Sequence, residues 1–473
     1  VSHFTIPDYT APTDPPLTTL PYFIDQRYGR DNQFRPHTLW YPPPFHMDLA
    51  IARVVGGERI IPIFLLNAVF SSCIVLILYF IMRKMYGFWP AFLSSLLVMF
   101  SLRDINIYLW GQWPERISFY LTPLIIYCFY RYLISFEKKE QKPIYLYIMS
   151  CLLAINLYMH PVGLFHSIAA LAVISAIIII KERKLPFDIR KLGISIIIFL
   201  ILASVFPYQA GSVLAISGQT GKQPYDISRL FSWYSPPKDV DLGLPASHFS
   251  YKDMHGLWTL PFLLIGLAFL LIRRKKKDLV MVSWLISLYI MLHLDIIGKG
   301  RPFRSLSATA HIFCPIMALG AVYLVSMIKL PKNLKVLLKY SSILLFIILA
   351  VFINGRAAYQ QLNTAYPGIT RINPYQYEAA EWIRDNIKDE RAELYQVGAI
   401  SQAKSRWEWM LSNRVISFRA RENATHAVID YSDAMLMNNQ EMIGQIRAYE
   451  DALKDADKIY DRNNIKVYEL GRI

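Results

Sequence analysis

The feature that most constrains this chain is a series of apolar runs, most of them longer than a soluble core helix needs. Ten can be marked: Ile60 to Met82, Phe88 to Leu102, Ile117 to Ile134, Ile144 to Met159, Val162 to Ile180, Leu192 to Ile216, Leu257 to Ile272, Leu279 to Ile297, Leu306 to Ile328 and Leu334 to Ile353. A helix needs roughly 20 such residues to cross about 30 Å of hydrocarbon. Backbone groups in lipid must be bonded within the segment, so the runs are predicted to be helices and not strands. A chain of 473 residues that is 54% hydrophobic is neither disordered nor an ordinary soluble enzyme. Its four cysteines, Cys73, Cys128, Cys151 and Cys314, all fall inside spans, which excludes an external disulfide framework.

The formal charge of +15 would point to nucleic acid in a soluble protein. Here its position decides the matter. Basic clusters at Arg83 and Lys84, Arg131 to Lys142, Lys181 to Lys191, Arg273 to Lys277 and Lys329 to Lys339 fall at alternate helix ends. That alternation predicts that these turns are cytoplasmic, where they meet anionic membrane lipid, and it leaves no role for nucleic acid. The first 59 residues, the loop Ser217 to Gly256 and the C-terminal tail are then external. Ten spans that begin and end outside lead us to expect a further span, or a cleaved signal peptide, ahead of Val1.

The tail reads as a separate soluble unit. Asn373 before Pro374 is a helix cap for an amphipathic stretch, Tyr375 to Ile387. Glu393 to Val397 and Arg414 to Phe418 read as strands and Asn438 to Lys454 as a second helix. Lys458 to Asp461 and Ile465 to Glu469 read as a hairpin around Arg462, Asn463 and Asn464. The expected organisation is an external loop over 1–59, a transmembrane domain over 60–353 and a small extracytoplasmic α/β domain over 354–473.

Chemistry is sought where charge breaks the membrane pattern. In the first loop Asp14 stands in Thr13-Asp14-Pro15-Pro16, where prolines restrain the backbone, as suits a general base. The second external loop, Arg103 to Arg116, holds Asp104 and Glu115 at the ends of two successive spans. Both could converge on a pocket with Asp14, although surface ion pairs with the adjoining Arg103 and Arg116 explain them equally. The aromatic residues there, Tyr108, Trp110 and Trp113, suit an interfacial belt. Lys299, Arg301 and Arg304 put three cations in a loop that should be poor in them. Arginine forks pair with phosphate oxygens, so a lipid phosphate is the expected ligand, against unspecific contact with headgroups. His160-Pro161 makes a tight turn between spans, with His166 following, and His293 and Asp295 lie near the end of another span. Asn423-Ala424-Thr425 is a weak glycosylation triplet.

The run Tyr41-Pro42-Pro43-Pro44-Phe45-His46 before a span, the loop Trp110-Gly111-Gln112-Trp113-Pro114-Glu115, His160-Pro161, the external arginines and the C-terminal α/β domain together resemble the GT-C fold of integral-membrane glycosyltransferases that use polyprenyl-phosphate-linked sugars. The resemblance implies a polytopic α-helical membrane protein that moves a sugar from such a lipid to a glycan, lipid or protein acceptor outside the cytoplasm. It places the catalytic acid of the first loop at Asp14 and a second acidic site at Asp104 or Glu115. His46, Trp110 and His160 join Lys299, Arg301 and Arg304 as candidate substrate-binding residues. Asp14 and Asp104 are the candidates for a divalent Mg or Mn ion, though no ligand spacing demands one. The Trp-Trp-Asp-Tyr-Gly motif of oligosaccharyltransferases is missing, since Trp407-Glu408-Trp409 departs from it. Transfer of a single sugar is therefore favoured. The rival classes are a non-catalytic scaffold subunit and a transporter or flippase of lipid-linked substrates, although no internal repeat supports the latter.

Overall fold

The structure is a computed structural model. It describes residues 43–470 except 58–60, 110, 139, 141, 206–232, 234–250, 295–301, 325–330, 365–371, 390–391, 399–410, 413 and 418–423. These residues belong to two compact units, 43–363 and 364–470.

The first unit is a polytopic helical bundle. Its helices are α1 (Pro43–Gly56), α2 (Ile61–Tyr86), α3 (Phe88–Met99), α4 (Leu102–Leu109), α5 (Trp113–Glu137), α6 (Ile144–Met159), α7 (Pro161–Glu182) and α8 (Ile189–Ala203). After them come α9 (Tyr251–His255), α10 (Leu260–Arg273), α11 (Lys276–Leu292), α12 (Thr309–Tyr323), α13 (Lys332–Leu349) and α14 (Arg356–Thr364). Each of the ten predicted runs carries a helix among the described residues. By length and composition five helices among the described residues can cross a membrane, or six if α3 and α4, bent by 43°, count as one span. Among the described residues, four segments of the bundle read as loop or left outside the runs are helical: α1, α4, α9 and α14. In α4 the charged pair Arg103 and Asp104 hides the helix from an apolar search, yet both side chains are buried.

The centre of the bundle is α12, buried from Thr309 to Val322. It lies against α10 backbone to backbone. A Cβ on Gly320 would come 1.9 Å from the Phe262 carbonyl oxygen, and one on Gly266 would come 1.9 Å from that of Ile316. Small residues are what let two membrane helices approach so closely.

At the end bearing the basic clusters, the Asp278 carboxylate is wholly buried and fully engaged. It accepts from Arg273 Nε at 2.7 Å, from Arg273 Nη2, from the Tyr86 hydroxyl at 3.0 Å and from the Lys275 backbone N–H at 2.9 Å. The Arg273 guanidinium also lies 4.4 Å from the Phe269 ring centre, and Phe269 stacks on Tyr323. One charge pair thus ties α2, α10, α11 and α12 together.

The second unit contains α15 (Pro374–Asn386), β1 (Glu393–Val397), β2 (Val415–Ser417), β3 (His426–Asp430), α16 (Ser432–Leu436), α17 (Gln440–Asp451), β4 (Asp457–Arg462) and β5 (Ile465–Glu469). Its sheet runs β2-β1-β3-β5-β4, with β1 parallel to β2 and β3, and β5 antiparallel to β3 and β4. Val428, Leu394 and Val467 meet Ala379 and Ile383 of α15 on one face, and Ala427 and Ile429 meet Ile446 of α17 on the other. Strand β3, buried at every position, was not foreseen. A strand covered on both faces lacks the alternation by which strands are recognised. Asn373 caps α15 as expected, in a reciprocal pairing with Gln376.

At the end of β3 the buried Asp430 carboxylate accepts from the Ser432 N–H at 2.8 Å and from Gln376 Nε2 at 2.6 Å. Burial raises its carboxyl above the ordinary range, and those hydrogen bonds only partly oppose the shift. The folded unit therefore holds this proton more tightly than the unfolded chain does. The resulting penalty on folding is present at neutral pH, declines as pH falls through the raised value and is gone below the ordinary carboxylate range. From about pH 7 to about pH 4, wild type should gain protection in β3 relative to Asp430→Asn, read by hydrogen exchange. In the bundle, Gly320→Ala should lower the thermal midpoint in detergent sharply, because the opposing atom is backbone and cannot rotate away.

Candidate active site

At the ends opposite the basic clusters, two short turns bring charge inward. Ser101 opens α4, which places Asp104 in its first turn. After α4 the chain reverses through Gly111 at φ 71°, with the Gln112 N–H donating to the Ile107 carbonyl at 3.1 Å. The Trp113 indole N–H donates to the Tyr108 carbonyl at 2.9 Å and locks the turn. Pro114 starts α5, so Glu115 and Arg116 occupy its first turn, where the helix dipole favours the carboxylate.

The resulting ion pairs cross the chain. Arg116 Nε lies 3.5 Å from Asp104 Oδ1, and His311 Nε2, from α12, lies 3.4 Å from the same oxygen. Arg304 Nη1 donates to Glu115 Oε2 at 2.9 Å. The alternative expectation of surface pairs between sequence neighbours is corrected: Asp104 pairs with Arg116 and Glu115 with Arg304, and both carboxylates are buried. Arg116 also lies over the rings of Tyr108 and Tyr120, at 5.7 and 5.4 Å, and Tyr120 packs against His311. Around this cluster both Asp104 oxygens, Arg116 Nε, Arg304 Nε, the Tyr120 hydroxyl and both His311 nitrogens are buried without a hydrogen-bond partner among the described residues. Buried polar groups are usually satisfied, so this cluster concentrates charge and uncommitted hydrogen-bonding capacity at one place.

His160 ends α6 and caps α7, with its Nδ1 accepting from the Val162 N–H at 3.3 Å. The ring is thus an acceptor at a helix end, and the imidazole lies within electrostatic range of Arg304. His166 Nε2 and Ser305 Oγ are 2.9 Å apart, which joins α7 to the turn carrying Arg304. His46 is buried in α1, edge-on to Phe45. Asp14, Trp110, Lys299, Arg301 and Asp295 lie outside the described residues. Of the expected site residues, Asp104, Glu115, Arg304 and His160 gather at one end of the bundle.

His311 and His255 were missed. His255 is buried close enough to Asp104 for their charges to interact, and its Nε2 has no hydrogen-bond partner among the described residues. The available signal was a histidine inside an apolar run at His311, which in a membrane helix is a functional flag in itself. Among the described residues no three His, Cys, Asp or Glu side chains group as metal ligands. Of the two residues expected to hold a divalent ion, Asp14 lies outside the described residues and Asp104 pairs with Arg116.

No family model matches the chain, and no curated protein matches it in sequence. Solved structures do. An oligosaccharyltransferase from Archaeoglobus fulgidus, tethered to an acceptor peptide containing the NVT sequon, superposes with a TM-score of 0.59 at 12% identity over 99% of this chain. ArnT from Cupriavidus metallidurans, in the apo state, gives 0.54 at 9% identity over 98% of this chain and 92% of its own. The chain has the GT-C fold. At this level of identity the likeness is one of fold, and the chain spans 64% to 69% of the length of the archaeal transferases. Other structures of these proteins were solved with an inhibitory peptide and a dolichol-phosphate, with Zn and sulfate, and, for ArnT, with undecaprenyl phosphate.

Removing one side of a buried ion pair leaves the other charge stranded, at a cost of about 3–5 kcal/mol. Asp104→Ala should therefore destabilise the bundle by about that amount, measured as thermal unfolding in detergent. Asp104→Leu combined with Arg116→Met should recover most of it, and additive losses in the pair would show that the two charges are not coupled.

Proposed function

We propose that the protein is a membrane glycosyltransferase. It moves a single sugar from a polyprenyl-phosphate donor to a glycan, lipid or protein acceptor on the extracytoplasmic side, where the C-terminal unit also lies. The observation that carries this reading is Arg304. Its guanidinium is held by Glu115 through one nitrogen, Nη1, and its side chain is 25% exposed at the end opposite the basic clusters. A fork with donors to spare suits a phosphate group. The fold supports the same reading, since GT-C neighbours were captured with dolichol-phosphate and with undecaprenyl phosphate.

The reaction asks little of the protein beyond placement. The bond from the anomeric carbon to the phosphate oxygen breaks, and its electron pair stays on the phosphate. The acceptor oxygen forms the new bond from the opposite face, which inverts the anomeric centre, and its proton passes to a carboxylate. Asp14 is that base in this proposal, on the strength of its sequence setting. Arg304, with Arg301 and Lys299, stabilises the charge that develops on the leaving phosphate. Asp104 keeps Arg116 and His311 in register.

Purified protein given a polyprenyl-phosphate sugar should release polyprenyl phosphate and glycosylated acceptor. Asp14→Asn should abolish release while leaving the thermal midpoint unchanged, and Arg304→Ala should lower kcat/KM by about 10²–10³. Full activity in Asp14→Asn would move the base elsewhere. No turnover with any donor, together with retained binding of undecaprenyl phosphate, would favour a scaffold.

A further inference from the structure

Glu115 carries the marks of a catalytic acid in the sequence, but its surroundings give it a different task. Its carboxylate is almost sealed, at 4% side-chain exposure, while the side chain of Arg304, whose guanidinium it grips at 2.9 Å, is 25% exposed. A base must reach the acceptor, and this carboxylate points its charge at the arginine. It sits in the first turn of α5, where the start of a rigid helix fixes its position. We propose that Glu115 is a positioning residue that acts through Arg304: it presents the fork to a lipid phosphate and, by its own charge, keeps the site from retaining the product.

The inference rests on the reading of Arg304 as phosphate clamp, and the charge arithmetic of that reaction supplies the reason. A polyprenyl-phosphate sugar is a phosphodiester with one negative charge. The polyprenyl phosphate released is a monoester, whose second proton leaves near pH 6, so at neutral pH it carries up to two. An arginine alone would therefore hold product more tightly than substrate. A fixed carboxylate behind the guanidinium repels the more highly charged product more strongly, and in a poorly screened site the difference is large enough to matter. The Asp104 and Arg116 pair is neutral by its own charges, and Glu115 is a carboxylate in direct contact with Arg304.

The test is equilibrium binding of undecaprenyl phosphate to the full chain in nanodiscs, with undecaprenol as the probe lacking phosphate. Glu115→Gln should bind undecaprenyl phosphate about tenfold more tightly than wild type and show no change for undecaprenol. Glu115→Asp, which keeps the charge, should bind like wild type and so separates charge from packing. During turnover Glu115→Gln should lower both kcat and KM and become more sensitive to inhibition by undecaprenyl phosphate, whereas loss of a general base would lower kcat alone. Arg304→Ala should bind weakly, and adding Glu115→Gln to it should bring no gain. If Glu115→Gln binds no more tightly while Arg304→Ala is weak, the counter-charge role is overturned and the clamp stands. If Arg304→Ala binds undecaprenyl phosphate as wild type does, the clamp reading itself falls.

Discussion

A carboxylate can lie inside a helical bundle only if a cation comes with it, and this chain meets that requirement differently at its two ends. At the basic end Asp278 receives a bidentate arginine, a tyrosine hydroxyl and a backbone N–H, which leaves it little further capacity. At the other end Asp104 has Arg116 and His311 at 3.5 and 3.4 Å, with neither oxygen in a hydrogen bond among the described residues. The first arrangement is what a structural tie should look like. The second leaves charge and donors in reserve, and reserve is what a binding site requires.

The tight packing elsewhere makes that reserve meaningful. With α12 buried along its length and pressed onto α10 at Gly266 and Gly320, the bundle has little freedom to relax around an unsatisfied group. His311 is placed one turn into this central helix, so its ring is fixed by the same packing that fixes the core. Arg304 precedes that helix on a short 3-10 turn, and the contact between Ser305 and His166 secures the turn to α7. Rigid neighbours give the exposed face of one arginine a defined direction.

Much of this was legible in the sequence, for reasons that also explain what was not. Apolar runs announce helices because lipid offers the backbone no other solution. The cap at Asn373 and the hairpin at Asn463 and Asn464, both at positive φ, are local chemistry and could be read directly. Ion pairing is not local. Arg103, Asp104, Glu115 and Arg116 look like two neighbourly pairs along the chain, yet a tight reversal at Gly111 sets Arg116 against Asp104 and leaves Glu115 to a residue 189 positions away. Strand β3 was lost because burial on both faces erases the alternation that strand recognition relies on.

The residues that broke the expected charge pattern prove more informative than those that made it. Basic clusters orient a chain whatever it does, and the apolar runs require only that it enter lipid. A buried acid held by a partly exposed arginine answers neither need. The same fold stability could come from apolar residues of similar volume, since buried ion pairs rarely improve on them. An arrangement that stability does not demand, placed at the end where the basic rule fails, is best accounted for by what it would hold.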